Sequence, residues 1–257
     1  MSTLYKKVAI EAALKSGRFI KNSVGKIKKI SYKGRINLVT DVDKKSEDII
    51  IKKIRSAFPD HSILSEESSP RYGNSEFKWI IDPLDGTTNF AHSFPFFCVS
   101  IALEKDGKVI LGVIYDPMRK ELFFAEHKKA AYRNNKKIHV SAKPNLSNAL
   151  LATGFAYGIK EAKNNNIEHF RKLLMRVLAI RRAGSAALDF CYVACGRFDG
   201  FWELDLCPWD CAAGALIVRE AGGMVTKLDG SAYSHYDKEV LASNGIIHKQ
   251  MVKVFKG

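Results

Sequence analysis

Residues 79–90 read WIIDPLDGTTNF and join the pattern of a buried strand to an acidic loop. The apolar run Trp79–Ile81 ends in two carboxylates, Asp82 and Asp85. Pro83 restricts the backbone between them, so the two acids are expected on a defined bend. A glycine and two threonines follow, and such a segment can point backbone N–H groups at an anion. Carboxylate oxygens suit Mg²⁺, which is usually held by a few carboxylates together with substrate phosphate. Taken alone, the stretch also fits an ordinary strand that ends in an Asp-Pro turn.

Two further acidic segments strengthen the metal interpretation. HSILSEES (61–68) is a short apolar run that ends in Glu66 and Glu67. PWDCAAGALIVREAGG (208–223) predicts a helix that starts at a proline and stops at paired glycines, with Asp210 in or beside its first turn. Asp210 alone would fit a helix cap, and the two glutamates alone would fit a solvated loop. Three acidic clusters, each at the end of an apolar element, together favour a metal site.

These segments resemble the inositol monophosphatase family of Mg²⁺-dependent phosphatases, above all its bacterial extragenic-suppressor subgroup. DPLDGTTNF matches the first family signature and PWDCAAGALIVREAGG the second. The similarity spans nearly the whole chain through four more segments: LVTDVDKKSE (38–47), FPDHSILSEES (58–68), LLATGFAYG (150–158) and RRAGSAALDFCYVACGRFDGF (181–201). The resemblance implies a layered αβαβα sandwich and one domain over 1–257, with halves of about 1–142 and 143–257.

The chain pattern is compatible with an α+β or α/β fold of this kind. Apolar spacing predicts a first helix over 3–22, and Thr40 and Asp43 predict a capping box at the start of a second helix that ends before Pro59. Strands at 96–104, 108–115, 121–126 and 131–140, separated by turn signals, predict an antiparallel meander. The second half predicts alternation: strands near 149–155 and 198–204, helices near 165–177, 185–196 and 209–221, and a short strand after Gly223.

The resemblance also implies roles for individual residues. Two or three Mg²⁺ ions would be held by Glu66, Asp82, Asp85, Asp210 and the Leu84 carbonyl, with Glu66 at the first ion and the three aspartates at the second. Thr87, hydrogen-bonded to Asp43, would orient or deprotonate the attacking water, so that Glu66, Thr87 and Asp43 form the expected catalytic set. Glu67 and Lys33 match positions near the metal loop.

Substrate contacts are implied on both sides of the same site. The Gly86 and Thr87 amides would hold the phosphate. The full expected substrate-binding set is Leu84, Asp85, Gly86, Thr87, Gly184, Ser185, Ala186, Glu203 and Asp210. Within it, Glu203 would accept hydroxyl protons of a sugar or cyclitol. Taken by themselves, Gly184 and Ser185 equally fit a capped helix start, and Glu203 fits an ordinary strand-end carboxylate.

Composition limits the remaining function classes. The chain has 257 residues and a net charge of +14, and residues 1–60 carry 15 Lys/Arg against 6 Asp/Glu. The densest basic run, KIKKISYKGR (26–35), contains a single aromatic residue, Tyr32, and no nucleic-acid-binding motif, so a solvated lysine-rich surface is favoured over nucleic-acid binding. The five cysteines form no zinc pattern and fit buried free thiols. No membrane span or signal peptide is predicted, which favours a cytoplasmic protein.

Three functions therefore stay open. The first is hydrolysis of inositol 1-phosphate, and the second is the same chemistry on fructose 1,6-bisphosphate or a nucleotide 3′-phosphate. Thr88-Asn89-Phe90 favours the inositol branch of the resemblance. The third is a regulatory role in binding RNA polymerase or RNA. A homodimer and inhibition by lithium are further implications of the family.

Overall fold

The computed structural model describes residues 2–26, 30–33, 37–156, 158–159 and 165–257, with the backbone alone for residues 2, 30–33 and 37–39. The helices are α1 Ser2–Ser23, α2 Asp41–Ala57, α3 Thr87–Ala91, α4 Ile167–Leu174, α5 Ala186–Ala194, α6 Pro208–Glu220 and α7 His248–Lys256. The first strands are β1 Ile30–Lys33, β2 Asn37–Thr40, β3 Ser62–Ser65, β4 Phe77–Asp85, β5 Cys98–Lys105, β6 Lys108–Asp116 and β7 Glu121–Glu126. The remaining strands are β8 Ala131–Arg133, β9 Lys136–Lys137, β10 Leu150–Thr153, β11 Ala179–Arg181, β12 Gly200–Leu204, β13 Met224–Thr226 and β14 Glu239–Ser243.

Three apolar clusters lie between five layers of secondary structure. The first cluster joins α1 and α2 to the sheet that contains Trp79 of β4. The second joins the other face of that sheet to α5 and α6, and these helices to the next sheet. The third joins the far face of the second sheet, with Trp202 of β12 at its centre, to α4 and α7. The layer order is helix, sheet, helix, sheet, helix, so the predicted αβαβα sandwich is confirmed.

The first sheet has seven strands in the order β3-β4-β5-β6-β7-β8-β9. From β4 to β9 every neighbouring pair is antiparallel, which confirms the predicted meander. Only β3 runs parallel to β4. This parallel pair brings the chain segments that follow β3 and β4 to the same edge of the sheet.

The second sheet has five strands in the order β11-β10-β12-β14-β13. Strand β10 is parallel to β11 and β12, whereas β14 is antiparallel to β12 and β13. The parallel strands β10 and β12 are joined by a connection that includes α4, β11 and α5, as parallel pairing requires a crossover. The C-terminal ends of β10 and β12 both face the site described below.

Several predicted boundaries were wrong, and local sequence explains why. The strand predicted over 131–140 breaks into β8 and β9, because Asn134 and Asn135 adopt positive φ angles and form a tight turn. The helix predicted over 165–177 ends at Leu174. Strands β11 and β14 and helix α7 were not predicted. Strand β11 has only three residues, β14 is defined by its pairing with β12 and β13, and the apolar spacing of α7 was overlooked. The division into halves near residue 142 stays a prediction.

Within the described residues, no helix combines the length and the hydropathy that a membrane span requires. The five cysteines are all free thiols, as predicted. The basic run 26–35 falls largely outside the described residues, so the structure does not test it.

Candidate active site

A β-bulge places the two aspartates of the signature loop on the same face of β4. Asp82 pairs with Ser100 of β5 and Asp85 pairs with Cys98, so three steps along β4 match two along β5. In a regular strand, residues three apart would point to opposite faces. The inserted residue corrects this alternation, and the predicted bend at Pro83 is part of the bulge. Both carboxylates are buried, at 2% and 9% exposure.

Parallel pairing of β3 with β4 brings Glu66 to this loop. Ser65 is in register with Ile81, and the Glu66 N–H donates to the Ile81 carbonyl at 3.2 Å. Glu66 therefore follows β3 at the level where Asp82 follows the regular part of β4. The proximity of Glu66 to Asp82 depends on the pairing of β3 with β4, so it cannot be deduced from the sequence of either strand alone.

Helix α6 supplies the third acidic segment. Asp210 lies in its first turn, where its Oδ2 accepts the Cys207 N–H at 2.7 Å in a capping arrangement. The hydroxyl of Ser100 donates to the Trp209 carbonyl at 3.3 Å, which joins the start of α6 to the strand beside Asp82. Asp210 therefore caps α6 and also lies in the acidic cluster.

The four carboxylates act electrostatically as one cluster. Burial raises the pKa of Asp82 well above its usual range, and the charges of Glu66, Asp85 and Asp210 raise it further. Burial, followed by Asp85, likewise raises the pKa of Asp210. Like charges buried together are costly unless a cation compensates them.

The donor set fits a hard divalent cation without forming a closed cage. Among the described residues, no group of three or more His, Cys, Asp or Glu side chains is already arranged as metal ligands. Hydrogen bonds hold one oxygen of each aspartate: Leu84 N–H binds Asp82 Oδ1 at 2.9 Å, and Asp85 and Asp210 are held through Oδ2. This arrangement suits Mg²⁺, which retains several waters and shares its coordination with substrate phosphate.

Thr87 and Asp43 form the predicted hydrogen bond. Thr87 Oγ1 lies 2.9 Å from Asp43 Oδ1 and 3.0 Å from the Leu84 carbonyl oxygen. Asp43 also accepts the Thr40 N–H at 2.8 Å, which completes the predicted capping box of α2. Burial raises the pKa of Asp43, while its bonds from Thr40 and Thr87 lower it. One carboxylate thus anchors a helix and orients a hydroxyl.

The loop that follows Asp85 needs a glycine. Gly86 has a φ of +93°, and a side chain there would bring its Cβ to 2.9 Å from the Phe96 carbonyl oxygen. It caps α3 without a side-chain hydrogen bond, so its position favours a turn that exposes backbone N–H groups.

Asp85 also joins the first sheet to helix α5 of the central helical layer. Its Oδ2 accepts the Ser185 hydroxyl at 2.6 Å and the Ala187 N–H at 2.8 Å, both at the start of α5. Asn89 makes a second bridge, because its Nδ2 donates to the Ala183 carbonyl at 2.8 Å and to the Phe96 carbonyl at 2.7 Å. Sequence reasoning found Asn89 only as part of the motif and missed this bridging role.

Glu203 lies on β12 and points across the end of β10. A Cβ on Gly154 would come within 2.1 Å of Glu203 Oε1, so only glycine leaves room for this carboxyl group. Burial raises the pKa of Glu203 to about 8, and the charges of Asp210 and Asp85 contribute to the shift. Glu203 is therefore a half-buried carboxyl group that is able to both donate and accept hydrogen bonds near neutral pH.

One cleft of about 360 Å³ collects most of the predicted residues. Its walls include Glu66, Asp85, Gly86, Gly184, Ser185, Ala186, Glu203 and Asp210. Asp82, Asp43 and Thr87 are buried beside these residues, and Leu84 is buried with them. The backbone N–H of Glu67 donates to Glu47 Oε1 of α2 at 3.2 Å. Lys33 ends β1, and its side chain lies outside the described residues.

The cleft also contains a residue that sequence reasoning missed. Asp189 of α5 lines the same wall as Glu203 and is 1% exposed. A detectable signal existed, since it is a single acid among apolar residues in AALDFCYVA.

Comparison with known proteins agrees with this geometry. The model of the inositol monophosphatase family matches residues 2–256. The chain belongs to the inositol monophosphatase family. Members of this family are phosphatases, and this chain is an enzyme of that class.

Individual relatives cover nearly the whole chain. The inositol-1-monophosphatase of Synechocystis is 46% identical over 95% of this chain and 86% of its own length. The Nus factor SuhB of Vibrio cholerae is 43% identical over 92% of this chain and 90% of its own. The crystal structure of the extragenic suppressor protein SuhB from Bartonella henselae has a TM-score of 0.93 and 41% identity, with 98% of each chain covered.

A more distant solved structure bears on the cofactor. It is described as an IMPase/NADP phosphatase complexed with Mg²⁺ and phosphate, with a TM-score of 0.81, 27% identity, and 93% of this chain and 90% of its own covered. Mg²⁺ dependence is general in this family, and the donor set described above fits it.

Proposed function

We propose that the protein hydrolyses inositol 1-phosphate to inositol and inorganic phosphate, with Mg²⁺ as its cofactor and a water molecule as the nucleophile. The observation that carries this proposal is the cleft itself, whose walls combine metal-type carboxylates with Glu203. The acidic cluster accounts for the phosphate chemistry, and the half-buried carboxyl of Glu203 suits an alcohol with many hydroxyl groups.

Glu66, Asp82, Asp85, Asp210 and the Leu84 carbonyl would hold the cation in this proposal. When bound, Mg²⁺ supplies Lewis-acid charge that neutralises phosphoryl oxygens and makes water more acidic. Either two or three ions are expected by family resemblance, and a titration of activity against Mg²⁺ concentration would test the count.

The residues of the chain then position the reactants. Thr87 gives its hydroxyl hydrogen to Asp43 or to the Leu84 carbonyl, so its oxygen lone pairs accept a hydrogen from water. This fixes the orientation of a water for attack on phosphorus. The N–H groups of Gly86 and Thr87 would bind phosphoryl oxygens. Gly184, Ser185 and Ala186 would contact the alcohol from the start of α5, and Glu203 would bind its hydroxyl groups.

The experiment is phosphate release from inositol 1-phosphate, fructose 1,6-bisphosphate and 3′-phosphoadenosine 5′-phosphate, with and without Mg²⁺. Asp85→Asn serves as the inactive blank. A clear preference for inositol 1-phosphate supports the proposal. A preference for either other ester keeps the mechanism and replaces the substrate, whereas release without Mg²⁺ contradicts the metal assignment. Inhibition by lithium is an expected accompanying result.

A regulatory function is the second candidate, because a relative with 43% identity is named a Nus factor. We infer that this chain also binds RNA polymerase or RNA, with the basic residues of its first 60 positions as the contact. A salt-dependent pull-down that survives Asp85→Asn would support this role. Loss of retention even at low salt would contradict it. Light scattering on the same sample tests the homodimer that the family implies.

A further inference from the structure

Asp189 is a buried acid, and one of its two carboxyl oxygens has no hydrogen-bond partner among the described residues. Its side chain is 1% exposed, and within the described part of the chain its Oδ1 makes no hydrogen bond. The residue lies in the first turns of α5 and lines the cleft beside Ser185 and Ala186. The remaining residues of α5 are apolar or aromatic, and nearly all are buried.

Stability does not explain an acid at this position. A buried polar atom without a partner costs about 1–3 kcal/mol, and an apolar side chain of the same shape would avoid that cost. An acid near a helix N-terminus is favoured by the helix dipole, but that benefit is available on an exposed face. Neither effect therefore explains why the carboxyl group of Asp189 is buried in α5.

The surroundings of Asp189 indicate what would satisfy it. Burial raises the pKa of Asp189 well above its usual range, with further contributions from Glu203 and then Asp85, while Arg182 opposes them. Glu203 is placed against Gly154 in the same wall of the cleft. The buried carboxyl of Asp189 and the half-buried carboxyl of Glu203 offer hydrogen-bonding oxygens to a ligand, and hydroxyl groups match them.

We propose that Asp189 is a specificity-determining residue, which together with Glu203 recognises the hydroxyl groups of the alcohol that leaves the phosphate. This inference rests on the proposed function and deepens it by naming what the enzyme recognises in the alcohol. A polyol gives the buried carboxyl the hydrogen bond that the protein withholds. An alcohol without further hydroxyl groups leaves it unsatisfied, and sites built to bind a hydroxyl reject such analogues strongly.

The test compares two substrates in two variants at Asp189. Inositol 1-phosphate carries hydroxyl groups on its alcohol, and phenyl phosphate carries none but keeps turnover measurable through its better leaving group. Asp189→Leu is expected to lower kcat/KM for inositol 1-phosphate by about 10- to 100-fold, and kcat/KM for phenyl phosphate by less than about threefold. Asp189→Asn retains a donor and an acceptor, so its loss should lie between wild type and Leu.

A matched control uses another acid of the same cleft. Asp205 lines the cleft, but its side chain is 66% exposed and lies 3.8 Å from Lys238 Nζ. Asp205 has a φ of +61°, which asparagine tolerates better than leucine, so the control is Asp205→Asn beside Asp189→Asn. Asp205→Asn should leave the ratio of the two kcat/KM values within about threefold of wild type. Thermal unfolding should show Asp189→Leu to be as stable as wild type or more stable, because it removes an unsatisfied buried group.

The outcomes separate this inference from the proposed function. Equal losses on both substrates, or no loss in either variant, would overturn the role of Asp189 and leave the proposed function standing. A wild-type enzyme that hydrolyses phenyl phosphate but not inositol 1-phosphate would overturn the proposed function itself.

Discussion

The two sheets contribute different chemistry to the same cleft. The seven-stranded sheet supplies the ends of β3 and β4, with Glu66, Asp82 and Asp85. Together with burial, the charges of Glu66 and Asp85 raise the pKa of Asp82 and that of Asp210. The five-stranded sheet supplies Glu203, a carboxyl with a pKa of about 8, packed against a glycine. Under the proposed function, this difference separates cation binding from recognition of the alcohol.

The helical layer between the sheets connects the two functions. Helix α6 carries Asp210 to the acidic cluster, and α5 presents Ser185, Ala187 and Asp189. Asp85 is the residue at which both functions meet, because it belongs to the acidic cluster and accepts two hydrogen bonds from the start of α5.

The largest expected effect comes from Asp85→Asn. Loss of one negative charge from the cluster should lower kcat/KM by about 10²–10⁴-fold, since several kcal/mol of charge stabilisation depend on the cation. Thermal unfolding should change little, because a buried carboxylate is replaced by a neutral group of the same shape. Ser185→Ala is the comparison, since it removes one hydrogen bond to Asp85 and the side-chain cap of α5 but keeps the Asp85 carboxylate, so its effect should be much smaller. Near-normal activity in Asp85→Asn would contradict the metal assignment.

Variants at Asp43 and Thr40 distinguish a role in catalysis from a role in helix capping, in the part of the cleft that the first sheet builds. Asp43→Asn should lower kcat by about 10- to 100-fold, because Thr87 loses the partner that orients it. Thr40→Val removes the side-chain part of the same cap and should cost about 1 kcal/mol of unfolding free energy with kcat nearly unchanged. Chemical denaturation and steady-state kinetics measure both quantities. A loss of stability without a loss of kcat in Asp43→Asn would assign the residue to capping alone.

Gly154→Ala tests the role of Glu203, in the part of the cleft that the second sheet builds. The added Cβ would displace the Glu203 carboxyl, so KM for inositol 1-phosphate should rise by roughly 3- to 30-fold, corresponding to the loss of about one hydrogen bond. Activity on phenyl phosphate should change much less. If both substrates lose kcat equally, Glu203 belongs to the chemical step and the division between the sheets fails.

The smallest expected effect concerns the stability of helix α7 at low pH. This helix packs on the outer face of the second sheet. His248 contacts Ser243 Oγ and Thr226 Oγ1, both at 2.8 Å, and burial lowers its pKa from 6.5 to about 4. Because the folded pKa lies below the unfolded value, its stabilising contribution is complete above pH 6.5 and is lost as the pH falls towards about 4. Protection of the α7 amides from hydrogen exchange, after correction for the intrinsic pH dependence of exchange, should fall over this range. His248→Gln should weaken that pH dependence, and an unchanged profile would contradict it.

Local signals allowed much of the site to be predicted. The capping box of Thr40 and Asp43, the proline start of α6 and the bend at Pro83 are each encoded within a few residues. The bridges from Asp85 and Asn89 to the start of α5 could not be predicted, because they join residues about 100 positions apart through the packing of layers. Strand β14 was missed for the same reason, since its identity depends on pairing with β12 and β13.

The most direct test of this division is a kinetic comparison of Thr87→Val and Glu203→Gln on inositol 1-phosphate and phenyl phosphate. We expect Thr87→Val to lower kcat on both substrates by about 10²-fold or more. Glu203→Gln should raise KM for inositol 1-phosphate and leave phenyl phosphate nearly unaffected. The same pattern of losses in both variants would contradict the separation of cation chemistry from alcohol recognition.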